Sequence, residues 1–198
     1  MPVGRPRNFD TGHALSVAML VFWELGYEGA SLERLRTSMG IAHMPSLFKA
    51  FGDKERLFQS ATELYWDTYY VPLLAELESL PNVEEAFEFL LKSLAHLYTA
   101  HAPMRGCLIV TGATNCTPQN AALVTWTAQY RDRIQNAIHG RLARAVSEEQ
   151  ISSLLLSIFT EFYGTLIIGM AMRARDNATT DMLLSTVSLA IEPLEVDI

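Results

Sequence analysis

The stretch from Met39 to Lys54 constrains the fold most, because Gly40, Pro45 and Gly52 divide it into a tight turn, a very short helix and the start of a longer one. Proline is tolerated only in the first turn of a helix, so a helix begins close to Pro45; Gly52-Asp53 then ends it within two turns. Ser31, Leu32, Glu33 and Leu35 predict the helix before it. Ser31 is a suitable N-cap, Glu33 puts negative charge in the positive first turn, and Leu32 and Leu35 form an apolar pair at i, i+3. Two short helices around a glycine turn, the second with a polar outer side, are how a chain presents a helix to a DNA major groove.

The charge agrees once it is divided. The chain has 198 residues and a net charge of -7, yet residues 1–56 carry seven Lys/Arg against six acids, while residues 57–198 carry eight against sixteen. A near-neutral head with an acidic body suggests two tasks, because phosphate binding depends on local cations rather than on the sum. No apolar run reads as long enough to span a bilayer, and no signal core follows Arg5 and Arg7, so a soluble cytoplasmic protein with no membrane partner is expected. Cys107 and Cys116 fit neither a disulfide framework nor a zinc pattern and read as free thiols.

Periodicity predicts an all-α chain of about nine helices with no credible strand or repeat. The first helix runs from about Thr11 to Leu25 and stops at Gly26. The fourth opens at Asp53-Lys54, turns Leu57, Phe58, Ala61, Leu64, Tyr65 and Thr68 inward, and is kinked or ended by Pro72. Asn82 with Glu85, Thr117-Pro118, Ser147 with Gln150, and Thr179 read as starts of later helices, the third of these running to about Arg173.

The run Gly4-Arg5-Pro6-Arg7, Phe9-Asp10, Gly26-Tyr27, Ser31-Leu32, Met39-Gly40-Ile41, Pro45-Ser46-Leu47-Phe48 and Phe51-Gly52-Asp53-Lys54 resembles the DNA-binding head of the tetracycline-repressor (TetR/AcrR) family of bacterial transcriptional regulators. Arg105-Gly106-Cys107-Leu108 and the helix around Tyr163-Gly164-Thr165 resemble its body more loosely. The resemblance implies a three-helix helix-turn-helix domain over residues 1–52 and a ligand-binding and dimerisation bundle over residues 53–198. It implies a homodimer on palindromic double-stranded operator DNA, displaced by a small-molecule inducer. On that reading Pro45, Ser46 and Lys49 face the groove, Leu47 and Phe51 face the head's core, Lys54 reaches a phosphate, and Arg36, Met44 and Phe48 also belong to the DNA-binding set. Arg5 and Arg7, held extended by Pro6, suit a narrow minor groove. Two departures stand out. Phe48 takes a position where the family usually has tyrosine, and three residues, Ala42-His43-Met44, separate Ile41 from Pro45 where two are common. The extra residue either lengthens the turn or starts the helix earlier.

The body shows no nucleophile elbow, metal spacing or phosphate loop, so no enzyme, metal or cofactor is expected. It has instead aromatic and soft side chains suited to a cavity between helices. Trp66, Tyr69, Tyr70, Phe89 and Met104 are candidates for that lining, and so are Cys107, Trp126, Tyr130, Phe159 and Tyr163. They favour an apolar or aromatic inducer, with room for a cation stacked on Trp66 or Trp126. The alternatives are a thiol sensor of oxidants or electrophiles using Cys107 or Cys116 and, further off, a helical-bundle enzyme or carrier. Small residues along the last two helices, Gly164, Thr165, Ile168, Gly169 and Met172, then Ser185, Ser188 and Leu189, suit close approach to a second copy.

Overall fold

The computed structural model describes residues 9–194. Helix α1 (Thr11–Gly29) starts where Asp10 Oδ1 accepts from the Gly12 and His13 amides at 2.8 and 3.2 Å. It is interrupted at Gly26, whose φ of 68° takes it out of helical geometry, as the sequence predicts. α2 (Leu32–Ser38) is capped by Ser31 Oγ on the Arg34 amide. It closes with a left-handed Gly40, where the Ile41 amide bonds to Arg36 O and the Gly40 amide to Thr37 O. α3 (Met44–Phe51) begins one residue before Pro45, so the extra residue starts the helix earlier. α4 (Lys54–Tyr65) is capped by Asp53 on the Arg56 amide.

The rod does not end at Pro72. A π turn at Trp66–Tyr70, closed by the Val71 amide on Trp66 O, joins α4 to α5 (Val71–Ser79). Proline has no N–H and its ring crowds the carbonyl four residues back, and the widened turn accommodates both. The extra residue shifts the helix phase. Thr68, expected inside, is exposed, whereas Tyr69 and Tyr70 turn inward.

α6 (Val83–Ala100) is capped by Asn82 Oδ1 on the Glu85 amide, and α7 (Leu108–Thr111) is one buried turn. α8 (Ala121–Ser147) follows a 3-10 turn at Pro118–Asn120, α9 (Leu156–Arg175) a second at Ser153–Leu155, and α10 (Thr180–Ile191) is capped by Thr179 on Met182. Counting α4 and α5 as one rod gives nine helices and no strand among the described residues.

One expected start and one expected cap are corrected. Ser147 ends α8, its hydroxyl bonding back to Arg144 O, and Gln150 instead accepts from the Val83 amide and donates to Pro81 O. The α9 segment is introduced by Ser152. Thr117 stands at the expected N-cap position ahead of Pro118, but its hydroxyl is drawn to Glu28 and caps no helix amide. A third correction concerns length: Ser153–Arg175 is long and apolar enough, by length and composition, to cross a membrane. Its apolar residues divide between two faces. Phe159, Tyr163, Ile167 and Met170 are buried in the bundle, and Ile158, Phe162, Ile168 and Met172 are exposed.

α1 packs on α4 in the head, and in the body α6 packs on α5, α9 and α10 while α8 packs on α9. α7 sits between them, touching α1, α4, α8 and α9. Arg141 of α8 is fully buried and donates to Leu80 O and Pro81 O, where it pins the end of α5.

Glycine marks a close approach of two backbones. At Gly106 φ is +80° and a Cβ would lie 2.6 Å from Ala171 O, whereas a Cβ at Gly140, inside α8, would meet nothing within 4 Å. Gly106→Ala therefore lowers unfolding free energy by about 3 kcal/mol or more, combining left-handed strain with a backbone clash. Gly140→Ala raises it by about 0.5–1 kcal/mol through helix propensity. Urea denaturation of both variants measures this, and equal effects would refute the packing described at Gly106.

Candidate functional site

Helix α3 buries Leu47 and leaves Pro45, Ser46, Phe48 and Lys49 exposed, with Met44 half-buried at its start. Phe51 is half-buried and packs on Phe9, with ring centroids 6.4 Å apart. The helix thus presents one cation, a hydroxyl, proline and an uncovered ring on the side away from the head's core. Behind it, an open groove of about 530 Å³ runs between α3 and α4, lined by Phe48, Lys49, Gly52, Arg56, Gln59 and Glu63 among others. Arg56, which sequence reasoning passed over, stands exposed at this groove beside Gly52.

Two expected DNA contacts have other partners. The Arg36 guanidinium donates to both carboxylate oxygens of Glu33 and to the carbonyls of Ile41 (2.5 Å) and Ala42 (3.0 Å). It braces the turn that sets the angle between α2 and α3. Lys54 Nζ lies 4.4 Å from the centre of the Tyr27 ring. Burial pushes its ammonium pKa down, against Glu28, which holds it up. Arg5 and Arg7 lie outside the described residues.

The head is fixed to the body through the last turns of α1. Trp23 Nε1 donates to Gly106 O at 3.1 Å and the Tyr27 amide donates to Gly112 O at 2.7 Å, so the segment carrying α7 is tied to α1 at both ends. The Glu28 carboxylate accepts from the Thr117 amide, the Thr117 hydroxyl and Asn120 Nδ2 at 2.8 to 3.0 Å. Arg175 of α9 reaches the carbonyls of Trp23 and Glu24 at 3.5 and 3.3 Å. A crevice of about 190 Å³ runs along this seam, lined by Tyr27, Glu28, Gly112, Cys116 and Arg175 among others. No local pattern announces these partners, since they are 83 to 152 residues apart.

The aromatic residues separate into two groups. Trp66 stacks on Tyr70 at 5.3 Å and meets Tyr130 edge-on; Trp126 meets Tyr130 in turn, and Tyr69 packs against Trp23 and Tyr65. The Tyr70 hydroxyl is 2.7 Å from that of Tyr98 and 3.3 Å from Cys107 Sγ, all fully buried. The second group is Phe87, Phe159, Phe162 and Tyr163, where the Tyr163 hydroxyl donates to Ala190 O. Burial pushes that phenol up to beyond the usual range. Phe159 and Tyr163 are therefore not brought to Cys107. Phe89 is half-buried and Met104 packs against the core. The cation expected over Trp66 is supplied by the chain itself, because Arg133 lies 4.6 Å from the Tyr130 ring centre and 5.8 Å from that of Trp66.

On α9 and α10, Thr165, Ile168, Gly169, Met172, Ser185, Ser188 and Leu189 are exposed, and they continue an apolar face through Ile158 (58% exposed), Phe162 and Met182. Gly164 is the exception. It is buried against Gln135, whose Oε1 occupies the space a Cβ would need, so its small size serves packing of α9 on α8.

A short exposed helix braced by a second helix across a left-handed glycine turn, carried on a separate helical bundle, defines a helix-turn-helix transcriptional regulator. No family model matches the chain. It is 30% identical over 91% of its length to the HTH-type transcriptional repressor ComR of Escherichia coli (strain K12), of which it covers 87%. It is 33% identical to a cysteine mutant of the TetR family transcriptional regulator CifR, solved with 26 bp double-strand operator DNA, over 96% of this chain and 98% of that one, with a TM-score of 0.90. AibR, solved with isovaleryl coenzyme A and operator DNA, shares the fold at 13% identity and a TM-score of 0.69, over 90% of this chain and 96% of that one. The chain belongs to the TetR family of transcriptional regulators, and it is a regulator rather than an enzyme.

The Glu28 anchor carries a pH signature. Its hydrogen bonds from Asn120 and Thr117 hold its carboxyl below the ordinary 4.5. A depressed folded value means that the stabilisation is complete above pH 4.5 and is lost as pH falls through the folded value. The stability difference between wild type and Glu28→Gln is therefore largest near neutrality and shrinks below pH 4.5. Urea midpoints measured across that range check it; a difference independent of pH would show that the carboxylate is not the anchoring group.

Proposed function

We propose that the chain is a homodimeric repressor that holds palindromic operator DNA through α3 and is released when a small molecule acts on its body. The observation that carries this reading is the exposed side of α3, where Lys49 and Ser46 face outward while Leu47 anchors the helix and Arg36 fixes its angle. Residues 1–52 then form the DNA-binding head and residues 53–198 the effector and dimerisation body, with α4 shared between them. Met44, Pro45, Ser46, Phe48 and Lys49 enter the major groove, and Arg5 and Arg7 reach the adjacent minor groove. Arg56 joins the phosphate contacts that Arg36 is not free to make, and Lys54 reaches a phosphate only by leaving Tyr27.

The second half of the reading is the dimer. A single head offers too little contact for specific binding, and a two-fold axis doubles it. Thr165, Ile168, Gly169, Met172, Ser185, Ser188 and Leu189 form the interface, supported by their exposure on neighbouring helices of a cytoplasmic protein. The effector is small and apolar or aromatic, matched to the side chains around Trp66, Tyr69, Tyr70 and Trp126. AibR, which holds both isovaleryl coenzyme A and DNA, supports a small-molecule effector on this fold.

Release follows from the seam. A dimer reads two successive major grooves only at one spacing of its heads, so an effector that displaces α7 or α4 moves α1 and changes that spacing. Selection of duplexes from a random pool tests the reading. The expected result is a two-fold symmetric site whose binding weakens steeply with salt. Lys49→Ala costs about 1–3 kcal/mol and relaxes base preference. Ile168→Glu gives monomers by sedimentation and removes about a thousandfold or more of operator affinity, the gap between specific and non-specific binding. A selected site without symmetry, or full affinity in the monomeric variant, would refute the proposal.

A further inference from the structure

The seam crevice is built from three elements: the last turns of α1, the segment after α7, and α9. Gly26 and Gly112 put no side chain into it, the Tyr27 ring forms part of its wall, and the exposed Leu25 and Met172 supply apolar surface. At about 190 Å³ it is smaller than the roughly 300–1,000 Å³ of pockets for drug-sized ligands, so an occupant is small and compact. The polar groups of the lining differ in what they can still bind. Glu28, the only acid among the described lining residues, already accepts from Thr117 and Asn120. The hydroxyls of Thr111 and Thr114 donate to the carbonyls of Cys107 and Val110. Arg175 is held loosely: its bonds to the Trp23 and Glu24 carbonyls and to Thr111 Oγ1 measure 3.5, 3.3 and 3.5 Å, against the roughly 2.7–3.2 Å of an ordinary N–H···O bond. It pairs with no carboxylate among the described residues, and the exposed Asn115 amide has no hydrogen-bond partner among them.

A guanidinium fork and an amide beside apolar surface match a carboxylate carried on a short hydrocarbon. We propose that the seam crevice binds a small apolar monocarboxylate, aliphatic or aromatic, with its carboxylate on Arg175 and Asn115 and its hydrocarbon part against Leu25, Tyr27 and Met172. The site is separate from the ring cluster around Trp66, and its effect on DNA rests on the operator-binding reading above. Binding exchanges three long hydrogen bonds for a bidentate, charge-assisted pair, so Arg175 leaves the Trp23 and Glu24 carbonyls. The tie between α9 and the end of α1 is then lost, while the bond from the Tyr27 amide to Gly112 O remains. α9 also carries Ile168, Gly169 and Met172 of the proposed dimer face. A ligand at Arg175 therefore changes how each head is set relative to the two-fold axis, and operator affinity falls. Linkage makes the effect reciprocal, so bound operator lowers the affinity for the acid by the same factor.

The full-length protein is titrated with sodium benzoate, sodium butyrate or neutral benzamide at constant ionic strength. Calorimetry follows binding to the free protein, and anisotropy follows bound operator. The expected result is a single site per chain for both acids, or for one alone, which narrows the class, with benzamide about tenfold or more weaker. The bound acid weakens operator affinity about tenfold, and saturating operator weakens acid binding equally. Arg175→Gln weakens acid binding about tenfold or more and Asn115→Ala about threefold or more. The Asn115 side chain makes no hydrogen bond among the described residues, so its loss of affinity is not a folding defect. Arg173→Gln, at an exposed neighbour outside the crevice, leaves acid binding unchanged. Benzamide as tight as benzoate, acid binding unaltered in the Arg175 and Asn115 variants, no binding of either acid, or bound acid with operator affinity unchanged would overturn the proposal. If the protein selects no duplex, the operator reading fails, while calorimetry on the free protein still decides the site.

Discussion

The hydrogen bond from the Tyr27 amide to Gly112 O, 2.7 Å long, fixes how the two halves of this regulator sit together. It exists because Gly26 takes φ of 68° and breaks α1, turning an amide that would otherwise serve the helix toward the body. A Cβ at Gly26 would stand 3.2 Å from the same carbonyl, so the break needs glycine for both its conformation and its space. The other contacts assemble around that point. Trp23 reaches Gly106, Glu28 gathers Thr117 and Asn120, and Arg175 covers the carbonyls of Trp23 and Glu24. Four elements distant in sequence converge on one helix end, and the head is held in one orientation relative to α7 and α9.

This arrangement adds a second mechanical link to the one provided by α4. α4 runs from the head into the body and continues through the π turn to α5, while α1 is joined to α7 by direct hydrogen bonds. Both converge on the region of Cys107, Tyr65 and Tyr70. A perturbation there acts on the two helices that carry α3, and α3 is the surface that meets DNA in the reading proposed here.

Features set by neighbouring residues were legible in the sequence. The break at Gly26, the left-handed turn at Gly40, the caps at Asn82 and Thr179, and the outward placement of Ser46 and Lys49 each follow from local conformation or from 3.6-residue periodicity. Legibility ended where a side chain had a distant partner to choose. Thr117 and Gln150 have the chemistry of cap residues, yet Glu28 and the Pro81–Val83 turn claim them. Arg36 and Lys54 have the chemistry of phosphate ligands, yet Ile41 O and the Tyr27 ring hold them. The π turn escaped for a related reason: Pro72 announces a defect, but whether a helix kinks, ends or widens depends on what the next turn packs against. The candidate lining was legible as a composition and not as a set, since Tyr163 and Phe159 join a different cluster from Tyr70 and Cys107.

Head and body move as one unit through the Tyr27–Gly112 seam, and hydrogen exchange at the Tyr27 amide reports on that coupling. Slow exchange, approaching that of the buried amides of α6, is expected in free protein and in protein saturated with selected operator. Exchange as fast as that of an exposed loop amide in both states would contradict it, because the head would then swing freely of the body.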